Sequence, residues 1–213
     1  VASKDFSESV IIAKMYIILL REAGFTVEDQ TGLGGSPAVR AALESGAVDL
    51  YPEYTGTAVS LYHNVPASAL PPDGDRLFLL AKSLDAAKQL VWIDRAMLNN
   101  TYTLMVAQAT VDGGIATVAD LAAYMNGNDA PLKICVESEF YAREQDGLKG
   151  LEARYGFAFK EENVLFMDVN ETYEALRRGD CEVAEGFATD GRIEAWGFRN
   201  LDDSLGFFPP GMA

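Results

Sequence analysis

The chain has 213 residues, of which 49% are hydrophobic and 23% are charged, a composition typical of globular proteins and not of disordered, fibrous or disulfide-rich chains. Its 17 Lys and Arg residues and 32 Asp and Glu residues give a formal net charge of −15, which argues against a nucleic-acid partner because phosphate binding depends on basic side chains. The longest apolar stretch, residues 10–20, is interrupted by Lys14 and is too short for a transmembrane helix. The chain opens on polar sequence with no signal peptide, which predicts a cytoplasmic protein or one whose signal has been removed.

Helices and strands alternate in the first part of the chain. Apolar residues at helical spacing predict a helix over residues 8–23, with Ser7 as its N-cap and Gly24 directly after its end. Ser36 as N-cap, followed by Pro37 at the first helical position, predicts the start of a second helix that ends before Gly46. The other elements predicted here are strands at 25–27 and 48–51, a helix beginning near 54–57, a loop over 64–74 and a helix over about 75–90.

The same alternation restarts at Tyr102. Thr117, with Asp120 three residues later, has the spacing of a capping box and predicts the start of a helix. The other elements predicted here are strands at 102–107, 133–136, 164–167 and 182–184, and helices at 147–155, 170–178 and 190–196. Strands that alternate with helices predict βαβ units and largely parallel sheets. The two runs, one before and one after about residue 100, predict two α/β lobes.

Cysteine and histidine indicate neither a metal site nor a catalytic site. Cys135 and Cys181 each lie at or beside a predicted strand, and two buried free thiols are favoured over a disulfide, which would require the two strands to be neighbours. His63 has no Cys or His at ligand spacing, and its place at a helix end predicts an exposed side chain without a role. The sequence therefore predicts a protein that is not an enzyme and that holds neither a metal ion nor a cofactor.

Aromatic residues cluster near the ends of predicted strands. Tyr54 and Phe187 follow strands, Tyr102 follows the 99–101 turn, and Tyr173 lies in the first turn of a helix. Each of them, taken alone, is explained by a place in the core. Ligands of open α/β sheets bind beyond the strand ends, so the four rings are also consistent with a cage for a quaternary ammonium, which offers no hydrogen-bond donor and is held by ring faces.

Several motifs of the chain resemble those of one protein family. They are Ser3-Lys4-Asp5-Phe6-Ser7-Glu8, Leu33-Gly34-Gly35-Ser36-Pro37, Asp49-Leu50-Tyr51-Pro52-Glu53-Tyr54-Thr55-Gly56-Thr57, Glu139-Phe140 with Arg143 and Asp146-Gly147-Leu148, Thr172-Tyr173-Glu174-Ala175, and Thr189-Asp190. Over residues 4–210, in this order and spacing, the chain resembles the glycine betaine/choline substrate-binding proteins of osmoprotectant ABC importers, the ProX/OpuC type.

The resemblance implies a fold and its division into domains. The expected fold is the α/β, two-lobed type II periplasmic-binding-protein fold, with the ligand in the cleft between the lobes. Lobe I is expected to comprise residues 1–101 with 204–213, and lobe II residues 102–203. Relatives continue for roughly another quarter of their length, so the C-terminal part of lobe I is expected to be truncated.

The resemblance also implies a set of site residues. The aromatic box is expected to consist of Tyr54, Tyr102, Tyr173 and Phe187, and the carboxylate end of the ligand is expected to meet Lys4, Thr57 and Arg143. Two positions depart from the family pattern: Phe187 stands where relatives carry a fourth tyrosine, and Asn100 stands where some relatives place an aspartate.

The function implied is that of an extracytoplasmic substrate-binding component of an ABC importer, either periplasmic or lipid-anchored, that delivers its ligand to a membrane permease. The expected ligand is glycine betaine or a related quaternary-ammonium compatible solute, and a zwitterion is favoured over a bare cation because Lys4 and Arg143 call for an anionic partner. The alternatives are the same fold with another ligand, such as choline, carnitine or an ergothioneine-like solute, or a regulatory effector or sensor domain. A regulator would require a DNA-binding helix-turn-helix, and the sequence contains no segment that predicts one.

Overall fold

Two β-sheets organise the structure, a computed structural model that describes residues 1–127 and 132–211. The smaller sheet pairs β1 (Ala2–Lys4) with β2 (Gln30–Gly34) in parallel. The larger sheet has five strands in the order β5-β4-β6-β3-β7. Its members are β3 (Tyr102–Ala107), β4 (Ile134–Val136), β5 (Val164–Phe166), β6 (Val183–Phe187) and β7 (Phe198–Asn200).

The larger sheet is mixed, which corrects the prediction of largely parallel sheets. β4 lies parallel to β5 and to β6, but β3 lies antiparallel to both β6 and β7. In the antiparallel pair, Tyr102 at the start of β3 is opposite Phe187 at the end of β6. This register brings two of the predicted site residues side by side at the same end of the strands.

Helices surround both sheets. The N-terminal part contains α1 (Ser7–Glu22), α2 (Ser36–Glu44), α3 (Thr55–Thr57) and α4 (Gly74–Ala86), with a π-helical turn at Ala58–Tyr62 and a 3-10 turn at Ala67–Ala69. The second part contains α5 (Gln108–Asp112), α6 (Val118–Gly127), α7 (Ser138–Ala142), α8 (Leu148–Tyr155), α9 (Val169–Arg178) and α10 (Gly191–Ala195), with a 3-10 turn at Glu161–Asn163.

The predicted helix ends are largely confirmed. The Asp120 backbone N–H donates to the Thr117 hydroxyl at 3.0 Å, and the Thr117 N–H donates back to the Asp120 carboxylate at 2.9 Å, which is a reciprocal capping box. Gly156 and Gly179 end α8 and α9 with positive φ, a conformation that residues with a Cβ rarely adopt. At α1 and α2 the prediction was wrong by one residue, because Phe6 and Gly35 are the N-caps, and Ser7 and Ser36 are already helical.

Both strands predicted between residues 24 and 52 were wrong. Residues 25–27 are irregular, Phe25 is exposed, and the strand in this region is β2. Residues 48–51 are also irregular, although Leu50 accepts a backbone hydrogen bond of 2.9 Å from Ala2. Val48 and Tyr51 are buried against Ala2 and Val39, so their apolar pattern reflects packing under α2. The helix predicted over about 75–90 ends earlier, at α4's last residue, Ala86.

The structure also corrects the predictions for cysteine and histidine. Cys135 and Cys181 form a disulfide with their Cα atoms 5.9 Å apart, because β4 and β6 are neighbouring strands. His63 is neither exposed nor without a contact: its Nε2 lies 2.8 Å from Asp85, whose carboxylate also accepts from Arg40. Within the described ranges, no helix is both long and apolar enough to cross a membrane.

Candidate functional site

A small cavity of about 30 Å³ brings together seven of the eight site residues named from the sequence. It lies where β1, β3 and β6 end or begin, and the segment Pro209-Pro210-Gly211 closes one side. The seven residues are Lys4, Tyr54, Thr57, Asn100, Tyr102, Arg143 and Phe187, and Phe6, Ser36, Gly56, Thr101 and Asp146 complete the described wall.

Four aromatic rings form one continuous cluster at this cavity. Phe187 stacks on Phe6 with ring centroids 4.2 Å apart and on Tyr102 at 5.2 Å, and Phe6 contacts Tyr54 at 5.4 Å. Phe6 was missed in the sequence reasoning, although it lies just after β1 in one of the motifs that carry the resemblance. Since one water needs roughly 10–15 Å³, the cavity has room for only a few water molecules. A trimethylammonium group therefore requires the rings to separate.

Tyr173 lies behind the ring cluster instead of in it. Its side chain is fully buried, its hydroxyl accepts from the Phe187 backbone N–H at 2.7 Å, and the Arg192 guanidinium lies 3.8 Å from its ring centre. Gly186 permits this packing, because a Cβ there would come within 2.7 Å of the Tyr173 hydroxyl. In this arrangement Tyr173 supports β6 and the position of Phe187 and does not line the small cavity, so its membership of the aromatic box stays a prediction.

Tyr54 is held in place by Glu8, a residue that the sequence reasoning did not assign to the site. The Tyr54 hydroxyl donates to one Glu8 oxygen at 3.0 Å, and the Thr189 hydroxyl donates to the other at 2.6 Å. Burial, followed by the negative charge of Glu8, raises the pKa of Tyr54 well above its ordinary value. The Tyr54 hydroxyl therefore stays protonated, and its hydrogen bond to Glu8 fixes the position of the ring.

Lys4 is paired with an internal carboxylate. Its Nζ donates to Glu53 at 2.6 Å, and both side chains are buried. Glu53 also accepts from the Tyr54 backbone N–H and from the hydroxyls of Tyr51 and Tyr62. The Lys4 ammonium lies 5.1 Å from the Tyr54 ring centre, so it sits beside the aromatic cluster with its charge already balanced.

Arg143 is likewise paired within the protein. Its Nε donates to Asp146 at 2.8 Å and one terminal nitrogen donates to the other Asp146 oxygen and to the Ser60 hydroxyl. A longer contact of 3.4 Å reaches Glu139. Burial disfavours the charged guanidinium, but neighbouring groups that include Asp146 outweigh it and raise the pKa of Arg143. The guanidinium carbon lies 5.4 Å from the Tyr102 ring centre, at the cavity wall.

Asn100 contributes an unsatisfied amide to the cavity wall. Its side chain is buried, and neither its Nδ2 nor its Oδ1 has a partner at normal hydrogen-bond geometry among the described residues. The amide nevertheless lies close enough to the Tyr54 hydroxyl to act on its pKa, which it lowers against the larger effect of burial. Thr57 lines the cavity from α3, next to Gly56, where a Cβ would come within 2.7 Å of the Pro210 carbonyl.

Glu185 is a second buried polar group near the site. It is fully buried on β6, one of its oxygens accepts from the Glu137 backbone N–H at 3.1 Å, and the other has no partner among the described residues. Burial, with the nearby charges of Glu137 and Glu139, raises the pKa of Glu185 to about 8. At neutral pH this carboxyl is therefore mostly protonated.

A larger depression of about 500 Å³ lies between α1, α2 and the segment 90–96. Its described lining contains none of the eight predicted site residues and is mainly apolar, with Leu19, Leu43, Val91 and Ile93 among its members. Its buried charges are already satisfied, because Arg40 donates to Asp85 through two nitrogens at 2.6 and 2.9 Å. The small cavity, where rings and charges converge, is the better candidate for a ligand site.

Comparison with known proteins identifies the family of the chain. A family model described as the substrate binding domain of an ABC-type glycine betaine transport system matches residues 1–213. A glycine-betaine-binding protein of Pseudomonas aeruginosa is 30% identical over 214 residues, covering 98% of this chain and 68% of that protein. The glycine betaine-binding protein YehZ of Escherichia coli is 28% identical over 216 residues, covering 98% of this chain and 70% of YehZ.

Solved structures agree in fold. The apo structure of YehZ from Escherichia coli matches with a TM-score of 0.65 and 28% identity, covering 100% of this chain and 77% of that chain. A crystal structure titled as a glycine betaine/carnitine/choline ABC transporter matches with a TM-score of 0.69 and 27% identity, covering 99% and 76%. The predicted type II periplasmic-binding-protein fold is confirmed.

These findings also define the class of function. Proteins of the matched family are extracytoplasmic binding components of ABC importers that bind small ligands and pair with a membrane permease, and they are not enzymes. The match extends over the whole chain, and the motifs that carry the resemblance include most of the residues at the cavity. The chain therefore belongs to the OpuAC family of substrate-binding domains of ABC-type glycine betaine transport systems.

Proposed function

We propose that this chain binds glycine betaine or a closely related quaternary-ammonium zwitterion at the small cavity and presents it, outside the cytoplasm, to the permease of an ABC importer. The observation that carries the proposal is the meeting of a continuous aromatic cluster with two buried cationic side chains in one cavity wall. The domain division into residues 1–101 with 204–213 and residues 102–203 is part of the same proposal.

The rings provide the cation end of the proposed site. A trimethylammonium has no hydrogen-bond donor, so it is held by contact with the negative faces of aromatic rings, and the attraction grows when water is excluded. Tyr54, Tyr102, Phe187 and Phe6 are the rings proposed for this role, since they line the cavity and contact one another in a chain.

Lys4, Thr57 and Arg143 provide the proposed carboxylate end. A ligand carboxylate would compete with Glu53 for Lys4 and with Asp146 for Arg143, because both cations are paired internally. Arg143 is the stronger candidate, since a guanidinium offers a planar pair of donors that matches a carboxylate. A zwitterion adds no net charge to the buried site, whereas a bare cation such as choline adds a positive charge beside two cations that are already paired.

Binding is proposed to involve separation of the two lobes. The cavity is too small for the ligand as it stands, and several hydrogen bonds join residues of the two proposed lobes around it. The Ser36 backbone N–H donates to Glu139 at 2.9 Å, Thr189 donates to Glu8, and Asn170 donates to the Asp5 carbonyl at 3.1 Å. These contacts would break on opening and re-form around the ligand.

Calorimetric titration of the purified chain tests the proposal. The panel is glycine betaine, proline betaine, carnitine, ergothioneine and choline, with a Phe187→Ala variant as the site control and an Arg177→Ala variant, on the exposed end of α9, as the matched surface control. We expect saturable one-to-one binding of at least one zwitterion, lost or weakened in Phe187→Ala only. Absence of binding across the panel, or choline binding tenfold tighter than glycine betaine, would refute the proposal.

A further inference from the structure

We infer that Asn100 is a specificity-determining residue that selects, within the proposed ligand class, zwitterions carrying a hydroxyl close to the quaternary nitrogen. This inference rests on the proposed function and names the substrate class more closely. It derives from an amide that is buried in the cavity wall and lacks a partner for either polar atom among the described residues.

The unsatisfied amide is costly in an aromatic environment. Asn100 is 4% exposed, and a buried polar group without a hydrogen bond costs about 1–3 kcal/mol. The rings of Tyr54, Tyr102 and Phe187 line the same cavity, and packing against these apolar faces gives no reason for a carboxamide at this position. A ligand that pairs with the amide recovers the cost, and one that does not leaves it in place.

The backbone around Asn100 holds the amide at the cavity. The Asn100 N–H donates to the Gly211 carbonyl at 2.8 Å, and the Gly211 N–H donates to the Asn99 side chain at 2.8 Å. The Thr101 hydroxyl donates to the Pro209 carbonyl at 2.9 Å. Gly211 packs so closely that a Cβ there would lie 2.0 Å from the Asn100 carbonyl oxygen. This clamp fixes the segment that carries the amide.

The neighbouring groups do not satisfy the amide. The Tyr54 hydroxyl is near the amide, but its proton is donated to Glu8 at 3.0 Å, so it can only accept from Nδ2 and leaves Oδ1 without a donor. Lys4 and Arg143 are paired with Glu53 and Asp146, and they are the groups proposed to meet the ligand carboxylate. The ligand methyl groups cannot accept or donate a hydrogen bond. A hydroxyl beside the ammonium can donate to Oδ1 or accept from Nδ2 and therefore fits the amide.

A matched ligand pair tests the inference. Carnitine and γ-butyrobetaine differ by one hydroxyl, so the ratio of their dissociation constants isolates that group. For the parent chain we expect carnitine to bind about 5–30-fold tighter than γ-butyrobetaine. For Asn100→Leu, which keeps the branching of the side chain but removes its polar atoms, we expect the ratio to approach one, chiefly by weakening of carnitine binding. Asn163→Ala is the control, because its buried amide nitrogen also lacks a partner but does not line the cavity.

The outcomes separate this inference from the proposed function. If both ligands bind the parent equally, or if Asn100→Leu leaves the ratio unchanged, the role of Asn100 is refuted while binding of the class stands. If neither ligand nor any other quaternary ammonium binds the parent, both statements fail. Circular dichroism of each variant checks folding, and Asn100→Ala replaces the leucine variant if the latter does not fold.

Discussion

Arg143 donates to both carboxylate oxygens of Asp146, so the fork that would receive a ligand carboxylate is occupied by the protein itself. The pair is buried, with both side chains almost fully removed from solvent. Asp146 is held by the Ser60 hydroxyl as well, at 2.8 Å. Any anionic ligand group that reaches Arg143 must therefore compete with Asp146, and the strength of the internal pair becomes a determinant of affinity.

Asp146→Asn is expected to strengthen the binding of a zwitterion by about 3–10-fold, because an amide competes less well than a carboxylate for the guanidinium. Choline, which has no carboxylate, is expected to bind no better. Calorimetric titration of glycine betaine and choline checks the difference, and Glu194→Gln on the exposed face of α10 is the matched control for loss of one charge. An equal change for both ligands would show that Arg143 does not meet the ligand carboxylate.

Tyr173 and Phe187 are expected to respond differently to substitution. Phe187→Ala removes a ring from the cavity wall and is expected to weaken ligand binding by about 10- to 30-fold. Tyr173→Phe keeps the buried ring but removes the acceptor of the Phe187 N–H, and is expected to lower the free energy of unfolding by about 1–3 kcal/mol with a smaller effect on affinity. Urea denaturation and calorimetry measure the two quantities. A tenfold affinity loss in a Tyr173→Phe variant of unchanged stability would place Tyr173 in contact with the ligand.

Glu185 is expected to make stability depend on pH between its unfolded and folded pKa values. Its pKa is raised from 4.5 to about 8 by burial and by the charges of Glu137 and Glu139. Between these two pH values the folded state holds a proton that the unfolded state has released. The free energy of unfolding is therefore highest below pH 4.5 and falls as the pH rises towards 8.

Glu185→Gln is expected to remove this dependence, because glutamine stays neutral. The variant should match the parent near pH 4 and exceed its free energy of unfolding by about 1–3 kcal/mol near pH 9. Urea titrations across this range provide the measurement, with Glu194→Gln as the exposed control. If the free energy of unfolding changes with pH in the same way in Glu185→Gln and in the parent, Glu185 is ionised in the folded protein and the prediction is wrong.

An exposed apolar surface on α1 and the segment 90–98 predicts self-association of the 213-residue chain. Ile18, Leu19, Ile93 and Met97 are each more than half exposed, and Leu19 and Ile93 line one mainly apolar depression. Exposed apolar surface of this kind favours association. Ile18→Lys is expected to reduce the weight-average molar mass, measured by sedimentation equilibrium at micromolar concentration, without lowering the free energy of unfolding. Ser45→Lys, at the exposed end of α2, is the control. A parent chain that sediments as a monomer at all concentrations contradicts the prediction.

The local sequence determined much of the helix framework and the aromatic character of the site. The Thr117–Asp120 capping box and the glycines after α8 and α9 act over a few residues, so they could be recognised without knowledge of the fold. The rings near strand ends were visible for the same reason, because a strand end is a local feature and the fold class places such ends along one cleft.

Only the tertiary structure decided the partners of those residues. The Cys135–Cys181 disulfide, the antiparallel direction of β3, the place of Tyr173 behind Phe187 and the pairing of Lys4 with Glu53 all join segments that are distant in the chain or oriented by other elements. Periodicity predicts that a side chain is buried but carries no information about which group it meets. The site therefore had a predictable composition, whereas its internal ion pairs and its unsatisfied Asn100 amide arise from long-range packing.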